Sequence, residues 1–351
     1  MDGWLNDTSV DGFLGNLRNP ENFIKMDSKW NTSQMSDTSK LPSEEDGGTI
    51  VEDPVGLLNI YEYSMCGDSE SYLNNGLYWW TLTPYNSSTI YYVIYTGSIG
   101  TTGVGSLFGI RPAINIKPEI KIVGGDGSEE NPYRLIGDND SSLEGVKLNT
   151  RYSGEYISFG TGENDLYRIV SHETEGLTKI TSAYLLKENG TFKSLAFGDT
   201  VYYSNDNIIG SFLNGEYLDS VKYLNSEQVN MIEANTAWYL GMVGARASYR
   251  LAKYKNTDMT EYATSTNAKV GLLRLGELMA GQFNFRGNSN YWSLTPFDMN
   301  GVRNVTSFGY LNNEIPSNSN GIKPALNLKS NVVITSGDGT LQNPFQIALA
   351  S

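Results

Sequence analysis

The sequence has almost none of the residues that build disulfides, metal clusters and nucleophilic sites. It contains one cysteine, Cys66, and one histidine, His172. A single cysteine excludes an internal disulfide framework and a cysteine-cluster zinc or iron–sulfur site, and a single histidine excludes a multi-histidine metal centre. A Cys66–His172 nucleophilic pair is conceivable, but a small buried thiol and an ordinary surface imidazole are the favoured interpretation.

Positive charge and long apolar runs are also scarce. The chain carries 25 lysines and arginines against 39 acids, a formal net charge of −14, so phosphate backbones and anionic membranes should repel it. No apolar run is long enough to span a bilayer, and the first residues do not open a signal peptide. We therefore expect no nucleic acid as a partner and no direct membrane insertion by this fragment.

Uncharged polar and aromatic side chains take the place of charge. Charged residues make up only 18% of the 351 residues, while aromatics reach 12% with 23 tyrosines. This composition is typical of secreted β-rich proteins and of binding surfaces, where tyrosine gives contact area and small polar side chains give adaptable hydrogen bonds. The length predicts two domains, each large enough for its own core.

An internal repeat organises the chain. Several segments recur in the same order with nearly the same separation: Val55-Gly56-Leu57-Leu58 with Val270-Gly271-Leu272-Leu273, Trp80-Thr81-Leu82-Thr83-Pro84 with Trp292-Ser293-Leu294-Thr295-Pro296, and Gly109-Ile110-Arg111-Pro112-Ala113 with Gly321-Ile322-Lys323-Pro324-Ala325. Chance does not preserve such order, so the chain is a tandem duplication. We assign domain 1 to residues 1–136, a linker to 137–150 and domain 2 to 151–351.

The sequence of each unit predicts two short helices followed by short strands. Apolar residues at mixed three- and four-residue steps predict two helices over 210–235, with Asn225 before the second as its N-cap. Alternating segments separated by Gly- and Asn-rich turns predict strands after them, and also over 154–204. The expected fold class is α+β, with short helices on an irregular antiparallel sheet.

The two units are not equally long. Domain 2 has strand-forming segments before its helices. Domain 1 begins at its helices and lacks these preceding segments. Either the native chain continues upstream of Met1 or domain 1 takes strands from elsewhere. Because an open sheet edge presents unpaired backbone N–H and C=O groups to other strands, self-assembly through domain 1 is one expectation.

The repeated Trp-x-Leu-Thr-Pro and Gly-Ile-(Arg/Lys)-Pro-Ala segments resemble a known family. They are similar to the C-type-lectin-like domains, of the formylglycine-generating-enzyme branch, in uncharacterised surface proteins of Gram-positive gut bacteria. Relatives include retroelement-diversified ligand-binding proteins and pilin-associated heads. The resemblance implies two tandem C-type-lectin-like domains, the first without its N-terminal strands. The sugar-binding tripeptides of calcium-dependent lectins do not occur, and the single Cys66 excludes formylglycine-generating chemistry.

The resemblance places a ligand surface between Pro84 and Gly109 and between Pro296 and Gly321. Its candidate ligand-binding residues are Tyr85, Tyr91, Tyr92, Tyr95, Phe297, Asp298, Arg303, Asn304, Tyr310, Asn312 and Asn313. For any single aromatic in these stretches, strand core is the competing interpretation. Trp79, Trp80 and Trp292 are assigned to the core rather than to sugar stacking.

The expected function is a non-enzymatic binding protein. An extracellular or cell-surface, adhesin-like chain would present these loops to a glycan or protein ligand. The alternative is a structural subunit of a surface assembly, pilin-like, completed by a strand from a neighbour or an upstream segment. No catalytic residue, metal ligand or cofactor is expected; calcium near Asp126, Asp338 or the acidic residues Asp138, Asp140 and Glu144 remains an option, with a tight Gly-Asp-Gly turn favoured. A hydrolase would need a converging carboxylate pair, which no spacing singles out.

Overall fold

The computed structural model divides the chain into two compact units. Unit 1 comprises Met1–Asp126 with Tyr133–Asn139, and unit 2 comprises Gly127–Pro132 with Asp140–Ser351. The structure describes residues 2–9, 11–17, 19–35, 49–66, 73–74, 76–128, 132–135, 143–172, 174–242, 265–280, 289–309 and 311–350. The fold is mixed, with short, mostly antiparallel sheets and short helices, as the α+β prediction requires.

Unit 1 contains short helices and small sheets. Its helices are α1 Asp2–Leu5, α2 Pro20–Phe23 and α3 Ile60–Met65. Its strands are β1 Lys29–Asn31, β2 Ile50–Glu52, β3 Val55–Leu57, β4 Trp79–Pro84, β5 Thr89–Val93, β6 Ile99–Gly103, β7 Pro112–Ile114, β8 Ile122–Gly124 and β9 Arg134–Leu135. They pair as β1-β2, β3-β7, β4-β5-β6 and β8-β9.

Unit 2 repeats these elements and adds strands before them. Its helices are α4 Ile208–Asn214, α5 Glu216–Asp219, α6 Ser226–Met231 and α7 Leu275–Ala280. Its strands are β10 Tyr156–Ser158, β11 Leu166–His172, β12 Thr178–Ser182, β13 Lys187–Glu188, β14 Thr191–Phe192, β15 Ser194–Ala196, β16 Thr236–Tyr239, β17 Ser265–Ala268, β18 Val270–Leu272, β19 Tyr291–Pro296, β20 Val302–Val305, β21 Leu311–Glu314, β22 Ser319–Gly321, β23 Pro324–Leu328, β24 Val332–Ser336 and β25 Gln346–Leu349.

Two five-stranded sheets dominate unit 2. Their strand orders are β10-β11-β12-β23-β18 and β15-β22-β19-β20-β21. One large, continuous cluster of buried side chains packs around them. In unit 1 the core is split into two smaller clusters, one around Trp80 and one around Trp79. The extra strands therefore come with a larger core.

The duplication is confirmed in the strand registers. In unit 1, β3 and β7 pair Gly56 with Ala113, and in unit 2, β18 and β23 pair Gly271 with Ala325. These are the residues that the sequence repeat aligns. Both pairs are antiparallel, so the same sequence has produced the same two-stranded centre twice.

Matched side chains hold each centre in the same way. In unit 1 the Asn6 side chain donates to the carbonyl of Val55 and accepts from its N–H, at 3.1 and 2.9 Å. In unit 2 Asn214 does the same to Val270, at 3.1 and 3.0 Å. An asparagine amide can replace a missing neighbouring strand for one residue, because it offers both a donor and an acceptor.

A tryptophan lies over the central glycine in both units. The Trp30 indole N–H donates to the Asp53 carbonyl at 2.8 Å, and the Trp238 indole N–H donates to the Ala268 carbonyl at 3.1 Å. Each ring lies so close to its glycine, Gly56 or Gly271, that an added methyl group would overlap it. Glycine is required here for close approach, not for its backbone freedom.

The predicted helix start at Asn225 is confirmed. The Asn225 side chain accepts from the Gln228 N–H at 2.9 Å, and the Gln228 side chain accepts from the Asn225 N–H at 2.9 Å. This reciprocal pair is a capping box, which ties down two N–H groups that the first helical turn leaves unbonded. The same device begins α3 with Asn59 and Glu62.

We expect Gly271→Ala to destabilise unit 2. Its Cβ would lie 2.6 Å from the Trp238 ring, so the ring or the strand must move, at a cost of about 1–3 kcal/mol. Gly103→Ala is the control, because no atom lies within 4 Å of the added Cβ. Urea unfolding followed by tryptophan fluorescence measures both, and equal midpoints for the two variants would contradict the ring-on-glycine contact.

Candidate functional site: the open strand edge of unit 1

One edge of β7 lacks a strand among the described residues. The Lys25 N–H donates to the Asn115 carbonyl, and the Lys117 N–H donates to the Phe23 carbonyl, both at 2.8 Å. Successive residues of a strand direct their backbone groups to opposite edges. The N–H and C=O groups of Ile114 and Ile116 therefore point away from α2 and β3, toward the open edge.

In unit 2 the equivalent edge is occupied. Strand β12 pairs antiparallel with β23, with Thr178 opposite Leu328, Lys179 opposite Asn327 and Ile180 opposite Leu326. Strands β11 and β10 extend the sheet beyond β12. The sheet that continues in unit 2 thus stops at β7 in the part of unit 1 that the structure describes.

The apolar side chains around the two edges differ in burial. In unit 1, Ile114, Ile116, Ile122 and Tyr133 are 38%, 41%, 57% and 54% exposed. The residues that the repeat aligns with them, Leu326, Leu328, Ile334 and Phe345, are each 0% exposed. We call this set of four unit 1 residues the uncovered face. The four aligned residues all belong to the continuous core cluster of unit 2, and exposed apolar surface marks interaction sites.

The first turns of unit 2 supply the missing cover. The Ile334 N–H donates to the Val146 carbonyl at 2.9 Å, and the Phe345 N–H donates to the Tyr156 carbonyl at 2.9 Å. These donors lie in and before β24 and β25, the counterparts of β8 and β9. Residues 146–182 therefore cover in unit 2 what the uncovered face exposes in unit 1.

A second strand contact is also specific to unit 2. Strand β15 pairs with β22, and the Trp292 indole N–H donates to the Leu195 carbonyl on β15 at 2.9 Å. Trp80 is the aligned residue in unit 1, where it is buried, and no strand equivalent to β15 pairs beside it among the described residues.

A buried ion network joins β12 to α7 in unit 2. The Lys179 ammonium donates to Oε1 of Glu277 at 2.6 Å, and the Arg274 guanidinium donates to the same oxygen at 3.1 Å. The Arg274 N–H donates to Oε2 at 2.9 Å. Burial raises the pKa of a carboxyl, but the charges of Arg274 and Lys179 and their hydrogen bonds outweigh it and lower the pKa of Glu277 to about 2.

Unit 1 keeps the acid of this network without its cations. Glu62, aligned with Glu277, accepts from the Asn59 N–H at Oε2 over 2.8 Å and is otherwise exposed. Asn59 replaces Arg274, and the strand that would carry a lysine is the missing one. Within the described ranges no lysine or arginine pairs with Glu62.

The predicted ligand residues divide by burial. Tyr91, Arg303 and Asn304 are buried in strands β5 and β20, because alternate residues of a strand face the core, which is the competing interpretation of these stretches. Tyr310 lies outside the described residues. Exposed or half-exposed positions that could contact a ligand are Tyr85, Tyr92, Tyr95, Phe297, Asp298, Asn312 and Asn313.

The exposed candidate residues make separate local contacts in the described parts of the two units. Asp298 accepts from the N–H groups of Asn300 and Gly301 at 2.8 and 2.9 Å, which makes it a turn residue. Asn312 and Asn313 lie on β21, opposite Asn304 and Arg303. Tyr85 packs edge-on against Tyr91 with ring centres 5.4 Å apart. Their ligand role stays a prediction.

The remaining sequence candidates have structural partners. Trp79, Trp80 and Trp292 are buried, as predicted. The His172 imidazole bonds the Arg151 carbonyl at 2.5 Å and the Thr178 hydroxyl at 3.2 Å.

Two observations bear on metals and membranes. Glycines with positive φ flank Asp126 and Asp338, as a tight turn requires. Across the described ranges, no group of three or more histidine, cysteine or acidic side chains could hold a metal ion, and none of the helices there could cross a membrane.

Comparison with known proteins gives one match. A protein-family model described as a domain of unknown function, DUF6273, matches residues 26–118. That range covers about a quarter of the chain and contains β3, β7, Glu62 and Trp30. No curated protein and no solved structure matches the chain.

The sequence analysis did not single out the matched glutamates. Glu62 and Glu277 follow the repeated Val-Gly-Leu-Leu segment at the same distance, which is a signal that self-comparison contains. Their partner Lys179 is far away in sequence and sits in a strand, so no local pattern indicates it.

We expect the Glu277 network to make unit 2 acid-sensitive. The pKa of Glu277 falls from its ordinary value of 4.5 to about 2 on folding, so the ionised carboxylate stabilises the fold above about pH 4.5. This contribution, roughly 3 kcal/mol, is lost as the pH falls toward 2.

Glu277→Gln should therefore lower the unfolding free energy near neutral pH and flatten its decline in acid. The matched control is Glu227→Gln, which is exposed on α6 and should keep the decline of the native chain. Denaturant unfolding across this pH range makes the measurement. An unchanged acid profile in Glu277→Gln would show that the network does not stabilise unit 2.

Proposed function

We propose that this chain is a non-enzymatic binding protein of the extracellular space or cell surface, in which unit 1 accepts an extended strand from a protein partner along β7. The observation that carries the proposal is the pair of equivalent edges, of which the one in unit 2 is occupied by β12 and the one in unit 1 has no strand among the described residues. Strand addition to a sheet edge supplies affinity through main-chain hydrogen bonds and specificity through alternate side-chain pockets.

Unit 2 supports the proposal by serving as a template for the complex. A partner strand in the β12 position would lie antiparallel to β7 and place its backbone groups against those of Ile114 and Ile116. Its apolar side chains, and those that precede it, would cover the uncovered face. Burial of that much apolar surface favours association at about 25 cal/mol for each Å².

A structural role in a surface assembly uses the same edge. The partner strand would then come from a neighbouring subunit, and the chain would be a pilin-like head. C-type-lectin-like architecture remains the proposed fold family of both units. Supporting it, the first strand of unit 2 meets the last segment of the chain, since Ile157 bridges Phe345.

A peptide tests strand acceptance. A synthetic hairpin of residues 165–183 carries β11 and β12, and it should bind the full chain saturably at one site. The amide protons of Ile114 and Ile116 should exchange quickly in the free chain and slowly in the complex, whereas those of Leu326 and Leu328 are protected throughout. Hydrogen exchange with mass spectrometry resolves the two edges.

The control peptide carries Ile180→Pro, which removes a ladder hydrogen bond and should bind much more weakly. Absence of saturable binding by the unaltered peptide, or protection at sites other than β7, contradicts strand acceptance.

A second candidate site is the tyrosine-bearing surface of unit 1. Tyr85 and Tyr95 are exposed near the ends of the β4–β5 and β5–β6 connections, with the flat rings that bind glycans or proteins. The double variant Tyr85→Ala with Tyr95→Ala should abolish binding on a glycan array and shift the melting temperature by only a few degrees. Unchanged glycan binding, or loss of folding, would contradict this role.

A further inference from the structure

We propose that unit 1 recognises its partner strand by a lysine that lies opposite Asn115 and places its ammonium between the Glu62 carboxylate and the Trp30 ring. This inference rests on the proposed function, since it names the chemistry of the strand that β7 accepts. We infer the lysine and the register of the partner strand from unit 2, where Lys179 of β12 lies opposite Asn327, the residue aligned with Asn115.

The lysine site in unit 2 is completely built. The Lys179 ammonium contacts the Glu277 carboxylate at 2.6 Å and lies 5.5 Å from the centre of the Trp238 ring. Both Lys179 and Glu277 are almost fully buried. A buried ammonium needs such a carboxylate, because an unpaired charge in the interior is strongly destabilising.

The acceptor half of the same site is present in unit 1. Glu62 lies in the first turn of α3, where it forms the capping box with Asn59, and Glu277 lies in the first turn of α7. Trp30 lies on Gly56 as Trp238 lies on Gly271. The two groups that contact Lys179 in unit 2 therefore have counterparts in unit 1, held by the same backbone devices.

The charge balance in unit 1 favours a cation more strongly than that in unit 2. In unit 2 the Glu277 carboxylate is shared by Arg274 and Lys179, whereas in unit 1 the arginine is replaced by Asn59. A strand that covers Glu62 removes it from water and leaves its charge unbalanced unless the strand brings a cation. The partner must supply what Arg274 supplies in unit 2.

A second copy of the chain is a poorer occupant of this edge. Two β7 strands pairing with each other would bring two Glu62 carboxylates into one interface, in a chain whose net charge is already −14. Like charges opposed in an interface disfavour it. We therefore assign the site to a different polypeptide segment that carries a basic residue between β-branched ones, as Thr178–Ser182 does.

A double-mutant cycle tests the lysine. Hairpin peptides of residues 165–183, native or with Lys179→Met, are titrated by calorimetry into the full chain, native or with Glu62→Gln. Removing either charge should weaken binding about 30-fold or more, and removing both should weaken it little further. Glutamine at position 62 can still accept from the Asn59 N–H, as Gln228 does from Asn225, so α3 keeps its cap.

The matched control is Glu119→Gln, which removes one charge from an exposed position after β7 and should leave affinity unchanged within about twofold. Equal affinity of the native and Lys179→Met peptides overturns the lysine site while leaving strand acceptance in place. Failure of both peptides to bind overturns strand acceptance and the lysine site together. Association of the chain with itself that competes with the peptide would assign the edge to a second copy and overturn the proposal.

Discussion

The pairing of β3 with β7, and of β18 with β23, is the contact on which each unit depends. An asparagine satisfies the outer edge of β3 or β18, and a tryptophan covers its glycine, so one side of the pair is complete in both units. Among the residues that the structure describes, a strand completes the other side only in unit 2. Backbone donors and acceptors that are removed from water must find partners, so whatever covers β7 has to supply hydrogen bonds to these groups, as a strand does along its whole length.

Core size follows from this difference. In unit 2 the strands before α4 close the sheet and convert Leu326, Leu328, Ile334 and Phe345 into fully buried residues. In unit 1 the aligned residues remain exposed and the core is divided between two clusters. The buried ion pair depends on the same strands, because β12 places Lys179 beside Glu277 and both side chains are buried there. Apolar burial and ion pairing thus both depend on the segments that precede α4.

The sequence predicts much of this fold because the repeat reports on contacts that local patterns miss. Asn225 caps its helix as expected, and the aligned Val-Gly-Leu and Gly-Ile-x-Pro-Ala segments pair in identical registers. The sequence leaves strand core and ligand surface as alternatives for Tyr91, Arg303 and Asn304, since it does not fix which alternate residues of a strand face the core. The Lys179–Glu277 pair is not predictable from local pattern either, because its members lie far apart in the chain and an isolated lysine normally indicates solvent.

The duplicated centre has a consequence for the order of folding. Unit 2 joins segments far apart in sequence, as in the bond from the Thr181 hydroxyl to the Pro324 carbonyl, so its main sheet closes late. During synthesis from the N-terminus, β11 and β12 emerge when β7 is already available and β23 is not. The hairpin of β11 and β12 is thus synthesised after an edge of nearly the same sequence as its final partner. The two acceptor sites differ at several aligned positions, among them Asn59 against Arg274 and Ile114 against Leu326, and these differences are what a strand has to distinguish them.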